Sequence, residues 1–184
     1  FHQILAGEVP PNTIGEIGEA IQAGVASFKV FTTFALRVPY GHLWAIFEEV
    51  ARNGGIYFTD PGLTMGQAEE LVERYGGEPL APRLPPAVYY IPPGEEPVRI
   101  EDNMIRPNGI QLSRDERTLY ISDSNGEHVI AWDIQPNGLV QNRRDFGTLQ
   151  GRSQRDNGLG GIRTYADGMA VDNEDRLYVA TGAG

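Results

Sequence analysis

The strongest constraint on the fold of this chain is an internal repeat. Pro107-Asn-Gly-Ile-Gln-Leu-Ser113, a polar turn around Asp115 and Leu119-Tyr-Ile-Ser122 recur as Ala166-Asp-Gly-Met-Ala-Val-Asp172, a turn around Asp175 and Leu177-Tyr-Val-Ala180. The offset is 59 residues at Asn108/Asp167 and 58 at Tyr120/Tyr178. Each copy reads as two short strands joined by a polar turn, with enough chain left over for two strands more. A third copy begins at Ile56-Tyr57-Phe58, which matches the second strand of the unit, so its own first strand should lie near Ala45-Ile46.

A repeat of four strands is the content of one blade of a β-propeller. The remaining segments agree with it. Val88-Tyr-Tyr-Ile91, Gly109-Ile-Gln-Leu112, Val129-Ile-Ala-Trp132 and Met169-Ala-Val171 are short runs rich in β-branched and aromatic residues, and Asn125-Gly126, Asn137-Gly138 and the Asn173-Glu-Asp175 stretch supply turn chemistry between them. Seven of the thirteen prolines fall between residues 79 and 97, which predicts extended connection for most of that segment. Residues 65–75 could form a short surface helix.

Before residue 55 the texture is different. Ile14, Ile17, Ala20 and Ile21 share one helical face, with Asn12 or Thr13 as N-cap and Gly24 as C-cap. Residues 25–34 read as a buried parallel strand. Leu43, Ile46, Phe47 and Val50 mark a second helix that Gly54-Gly55 stops. That helix covers Ala45-Ile46, where the repeat calls for a strand, so the repeat itself locates a discontinuity at residues 53–55. The expected fold is therefore mainly β: a partial β-propeller of about two and a half blades over residues 56–184, preceded by a short α/β, TIM-barrel-like fragment over residues 1–55. Few contacts are expected across the junction.

Charge narrows the partners. With 15 basic and 25 acidic residues the net charge is −10, which offers no basic field to nucleic acid or anionic membrane and suits metal cations better. No cysteine is present, so disulfides and thiolate metal sites are excluded while the compartment stays open. The sequence begins at Phe1 without a basic and apolar leader and contains no membrane-length apolar run. It reads as a chain entered inside a domain and ending just after a strand.

Asn108 and Asp167 hold the same place in successive units, immediately before the innermost strand of each blade. In a propeller those strands line the central channel, so equivalent positions converge on one axial point, and an amide oxygen beside a carboxylate is a hard oxygen site suited to Ca2+ and tolerant of Mg2+, Mn2+ or Zn2+. The plain alternative is that Asn-Gly and Asp-Gly are turn dipeptides. Their shared register favours the site.

Gly55-Ile-Tyr-Phe-Thr-Asp-Pro61, Ala87-Val-Tyr-Tyr-Ile-Pro-Pro93, Arg106-Pro-Asn-Gly-Ile110, Thr118-Leu-Tyr-Ile-Ser-Asp123, Asn142-Arg-Arg144 and Ala166-Asp-Gly-Met-Ala-Val-Asp172 together resemble the gluconolactonase/regucalcin-like family of six-bladed propellers. The resemblance implies that Asn108 and Asp167 bind one divalent metal, Ca2+ or Zn2+ with Mg2+ or Mn2+ as substitutes, and that Asp167 is also the general base in opening a small-molecule lactone. The family's third ligand, a Glu from the first blade, and the strand that should precede Tyr57 have no counterpart in this sequence, so impaired lactone hydrolysis is the expectation.

Lys29 is the sole lysine of the chain. A lone strand lysine is ordinarily a snorkelling or ion-paired residue. Its surroundings, Ala23-Gly-Val-Ala-Ser-Phe-Lys-Val-Phe31 with Phe1-His2 and the two helices, resemble cyclic amidohydrolases of the dihydropyrimidinase, hydantoinase and allantoinase type, which implies for Lys29 a carbamylated, metal-bridging role and for the chain an alternative activity on cyclic amides. The histidine ligands and catalytic Asp of that family are missing, and a binuclear centre cannot assemble from one lysine. His2, His42 and His128 show no ligand spacing and read as structural. Asp156-Asn-Gly-Leu-Gly-Gly161 lacks the strand-loop-helix setting of a phosphate cradle and reads as a loop. No Gly-x-Ser-x-Gly elbow or Cys/His pair offers a covalent nucleophile. A third reading is a non-catalytic fusion or fragment.

Overall fold

The computed structural model describes residues 3–25, 28–30, 38–62, 72–73, 76, 85–101, 103–149, 155–156 and 162–182. In its first part strand and helix alternate: β1 (Gln3–Leu5), α1 (Pro11–Gln22), β2 (Phe28–Val30) and α2 (Tyr40–Arg52), with β1 and β2 paired in parallel. The start of α1 corrects the sequence reading. Pro10 is the N-cap and Pro11 the first helical residue, so the helix begins before the Asn12 or Thr13 cap, and no side chain caps it. Proline carries a helix-compatible φ and lacks the N–H that this position leaves unpaired, so a Pro-Pro pair starts a helix without help. At the other end Ala23 is the C-cap, and Gly24 (φ +94°) takes the left-handed turn one residue later. The strand expected over residues 25–34 is observed at Phe28–Val30, and residues 26–27 and 31–37 lie outside the described set. Leu5, Val9, Ile17, Val38, Ile46 and Val50 form one core between the helices and the strand pair. Of a barrel, the described residues contain this one parallel pair and its two helices.

Helix α2 ends at Arg52 with Asn53 as its C-cap, Gly54 and Gly55 both have positive φ, and β3 (Ile56–Asp60) follows at once. Thereafter the chain is antiparallel. β3 pairs with β4 (Ala87–Ile91) and β4 with β5 (Val98–Glu101); β6 (Pro107–Leu112), β7 (Thr118–Asp123), β8 (His128–Ile134) and β9 (Val140–Thr148) form a four-stranded meander; β10 (Arg155–Asp156) pairs with β11 (Ile162–Arg163), and β12 (Met169–Val171) with β13 (Leu177–Val179). Strands β1, β5, β9, β10 and β11 were not named from sequence. β9 shows why: Val140-Gln-Asn-Arg-Arg-Asp-Phe-Gly-Thr148 lies mostly exposed at the sheet edge, so no apolar alternation betrays it. Of the helix suggested at residues 65–75, only Val72 and Glu73 are described, both helical.

Val88, Met104, Leu119, Ile121, Ile130 and Trp132 make a second core under the meander, and Val129, Leu149, Ala166 and Met169 a third that joins the meander to β12. At the junction with the first part, Ile56 packs on the helical core and the rings of Phe47 and Phe58 sit 5.1 Å apart.

The repeat is visible in three dimensions. Glu116 (φ 56°) and Asp175 (φ 58°) occupy the same place in the β6–β7 and β12–β13 turns, each donating its N–H three residues back, to the carbonyls of Ser113 and Asp172. The first turn closes from Ser113 N to Thr118 O and the second from Asp172 N to Arg176 O, one residue sooner. That missing residue is the step from 59 to 58 in the repeat offset.

Candidate functional site

The strand order brings the two repeat-equivalent residues onto neighbouring backbone. Asn108 is the second residue of β6, inside the strand rather than just before it, and Asp167 lies just ahead of β12, pinned by its N–H to Ala180 O at 2.9 Å and by the return bond from Ala180 N to Gly168 O. Two serines of the β7 end tie these backbones together. Buried Ser122 accepts from Gly109 N and donates to Asp167 O, both at 2.9 Å. Ser124 accepts from Asn108 Nδ2 at 2.9 Å and donates to Ala166 O at 2.7 Å. The approach is close enough to require glycine: a Cβ on Gly109 would stand 2.0 Å from Asp167 O. With its amide nitrogen engaged by Ser124, Asn108 retains acceptor capacity at Oδ1.

A second repeat emerges that sequence reasoning did not draw. Thr59 on β3 donates to Asn108 O at 2.6 Å, as Ser122 on β7 donates to Asp167 O. In both sheets the residue two places after the shared tyrosine (Tyr57, Tyr120) carries a hydroxyl that grips the carbonyl of the next unit's site residue. In the copy that carries Tyr178 that place is Ala180, with no hydroxyl to give. Asp123, also missed, is buried and accepts from Ile105 N at 2.8 Å, Arg106 N at 3.0 Å and Asn125 N at 2.9 Å, so it fixes the segment that delivers Asn108.

Lys29 stands far from these residues in sequence and beside them in space. Its Nζ donates to both oxygens of Asp167, at 2.9 and 3.2 Å. The two side chains keep 38% and 47% of their surface exposed. The pairing sets a cation against the carboxylate and ties the first part of the molecule to the residue that the repeat marks. Of the histidines, His42 Nδ1 accepts from Val9 N at 3.1 Å and joins the helical part internally, and His2 lies outside the described residues. So does most of the glycine-rich loop at residues 156–161.

The model of the SMP-30/Gluconolactonase/LRE-like region matches residues 48–184. The chain belongs to that family. It is 30% identical over 139 residues to the gluconolactonase of Zymomonas mobilis, a match covering 73% of this chain and 35% of that protein, and 33% identical over 96 residues to regucalcin of Danio rerio, covering 51% and 29%. The chain thus spans about a third of the length of the curated relatives it matches. A solved structure of a candidate gluconolactonase superposes with a TM-score of 0.50 at 20% identity over 72% of this chain and 39% of that one, a likeness of fold. The mainly β, propeller-type architecture is that of the gluconolactonase-like family, and the family match starts inside α2. None of these similarities supports the cyclic amidohydrolase resemblance of the first 55 residues or the cyclic amide activity that went with it.

A divalent ion, which the family resemblance implied, does not fit the donors as they are folded. Among the described residues no group of three or more His, Cys, Asp and Glu could hold a metal ion. Asn108 and Asp167 supply one amide and one carboxylate, short of the six to eight oxygens that Ca2+ takes or the four ligands of Zn2+, and both oxygens of that carboxylate face Lys29. Among the described residues no helix is long and apolar enough to cross a membrane.

Proposed function

We propose that this chain is part of a lactone hydrolase of the gluconolactonase type, with Asp167 as general base and Asn108 as the neutral polar group beside it. The observation that supports the reading is the side-by-side arrangement of the Asn108 and Asp167 backbones, held by Ser122 and Ser124, at equivalent positions of a repeat in a chain of this family. In this reading β6–β9 is one whole blade of six, β3–β5 and β12–β13 are parts of two others, and α2 stands where the missing innermost strand would be.

The reaction needs a base within reach of a water and a wall that positions the lactone carbonyl. Asp167 takes a proton from the water as its oxygen bonds to the carbonyl carbon. The ring C–O bond then breaks, and the departing alkoxide takes up the proton that Asp167 holds, which gives the hydroxy acid and restores the carboxylate. Asn108, fixed through Nδ2, orients rather than ionises. Because Lys29 covers both oxygens of Asp167, turnover by this chain is expected to be slow. The test is hydrolysis of gluconolactone by the purified chain and by Asp167→Ala. Weak activity that the substitution abolishes is the expected result. Activity that survives Asp167→Ala rules out Asp167 as the base.

A further inference from the structure

Lys29 and Asp167 are 138 residues apart, yet the ammonium donates to both oxygens of the carboxylate, at 2.9 and 3.2 Å. Lys29 lies on β2, ahead of residues 48–184 that the family model matches, so this contact reaches the site from outside the family region. We propose that Lys29 is an autoinhibitory cover on Asp167, a reversible ion pair through which the first part of the molecule restrains the base. The inference rests on the functional reading above for what Asp167 does. That Lys29 covers it is a separate matter of charge and distance.

A carboxylate takes a proton from water only through an oxygen that the water can reach. An ammonium set across both oxygens competes with that water and opposes the charge that the base would use. The first part is anchored at the junction, where Phe47 packs on Phe58 and Ile56 on the helical core, so the lysine is kept within reach of the site. The pair itself is open: its side chains keep 38% and 47% of their surface exposed, and pairs of this kind are weak and screened by salt. Rotation of the lysine side chain therefore uncovers the carboxylate, and the restraint slows turnover without abolishing it.

Lys29→Met keeps the apolar stem and removes the charge, so it should raise gluconolactone turnover about two- to fivefold at low salt. Wild-type turnover should climb towards that level as NaCl screens the pair, Lys29→Met should stay flat, and Lys29→Arg should keep the restraint and its salt dependence. The cover is also read without turnover. Lys29 is the sole lysine, so a water-soluble carbodiimide, which joins a touching amine and carboxylate with loss of one water, should link it to Asp167 in the full chain at low salt and much less at high salt. Peptide mass spectrometry locates the link, and a thermal melt of each variant confirms that it is folded. The link together with faster turnover in Lys29→Met supports the proposal. No link overturns it, as does wild-type turnover that stays level with NaCl, a gain that Lys29→Arg shares, or a gain that persists when Lys29→Met is combined with Asp167→Ala. Absence of the link beside turnover that needs Asp167 sinks the restraint alone. The link without Asp167-dependent turnover in any variant sinks the functional reading and, with it, the restraint.

Discussion

At the scale of single residues, the hydroxyl of Ser122 has more structural consequence than its size suggests. It is fully buried, accepts from Gly109 and donates to Asp167 O, so one atom spaces the two strands that carry the candidate site. Replacing it with Ala leaves a buried N–H and a carbonyl without that partner, which costs about 1–3 kcal/mol. Urea unfolding of Ser122→Ala should show a loss of that size, and a loss below about 0.5 kcal/mol would mean the serine is not the spacer. Thr59 does the same for Asn108, and the two could have been paired in sequence by their common distance from Tyr57 and Tyr120. The reach of Lys29 to Asp167 could not. An ion pair across 138 residues leaves no period or spacing behind it.

At the scale of elements, the β6–β7 and β12–β13 turns are one design used twice. Ser113 Oγ donates to Asp115 and accepts from Thr118 N in the first, and Asp172 accepts from Glu174 N and Arg176 N in the second. Each turn needs a residue with φ near +57°, supplied by Glu116 and Asp175. Asp tolerates the left-handed region better than Glu, because its short polar side chain bonds locally. Glu116→Asn should therefore stabilise the protein by about 0.5–1 kcal/mol, read as a higher urea midpoint. A lower midpoint would show that the Glu116 side chain makes a contribution larger than the backbone strain. Elements were legible wherever a period reaches the core, as in α2, β7 and β8. They were illegible at edges such as β9, where charged residues face solvent and pair with neighbours instead: Arg144 with Asp133 at 2.7 Å and Arg143 with Glu101 at 2.9 Å.

For the whole molecule, titrating groups set a pH window. Asp172 feels a partial desolvation that would raise its carboxyl, outweighed by hydrogen bonds from the Arg176 side chain, the N–H groups of Arg176 and Glu174, and the Tyr178 hydroxyl, which hold it well below the usual carboxylate range. Asn142 and Arg144 hold Asp133 low, and Ser113 and Arg117 do the same for Asp115. Carboxyls depressed by folding contribute stability that is present above their unfolded value and is lost as pH falls through the folded one. At the alkaline end, burial first and Tyr90 second push the Tyr57 phenol above its ordinary 10.0. Its contribution is present below that value and is lost as pH rises through the raised one. The urea midpoint should thus be level between about pH 5 and pH 9 and fall on both sides. Tyr57→Phe, which also gives up the bond to Gly138 O, should flatten the alkaline limb. A midpoint unchanged down to pH 2.5 would contradict the acid limb.

What the sequence by itself determined is the part that follows from local pattern. The repeat of Asn108 and Asp167, the turn residues between them and the apolar alternation of β6–β8 and β12–β13 were enough for a β-rich chain of repeated units, because strand period and turn chemistry are written in adjacent residues, and the motifs' resemblance added the gluconolactonase-like family. Tertiary structure alone decided what meets across the chain: the serine and threonine hydroxyls that clasp the site backbones, the approach that forbids a Cβ on Gly109, and the lysine that lies against Asp167. Those contacts arise from packing between sheets and between the two parts of the molecule, where partners are chosen by shape and charge in space and neighbours in sequence carry no trace of them.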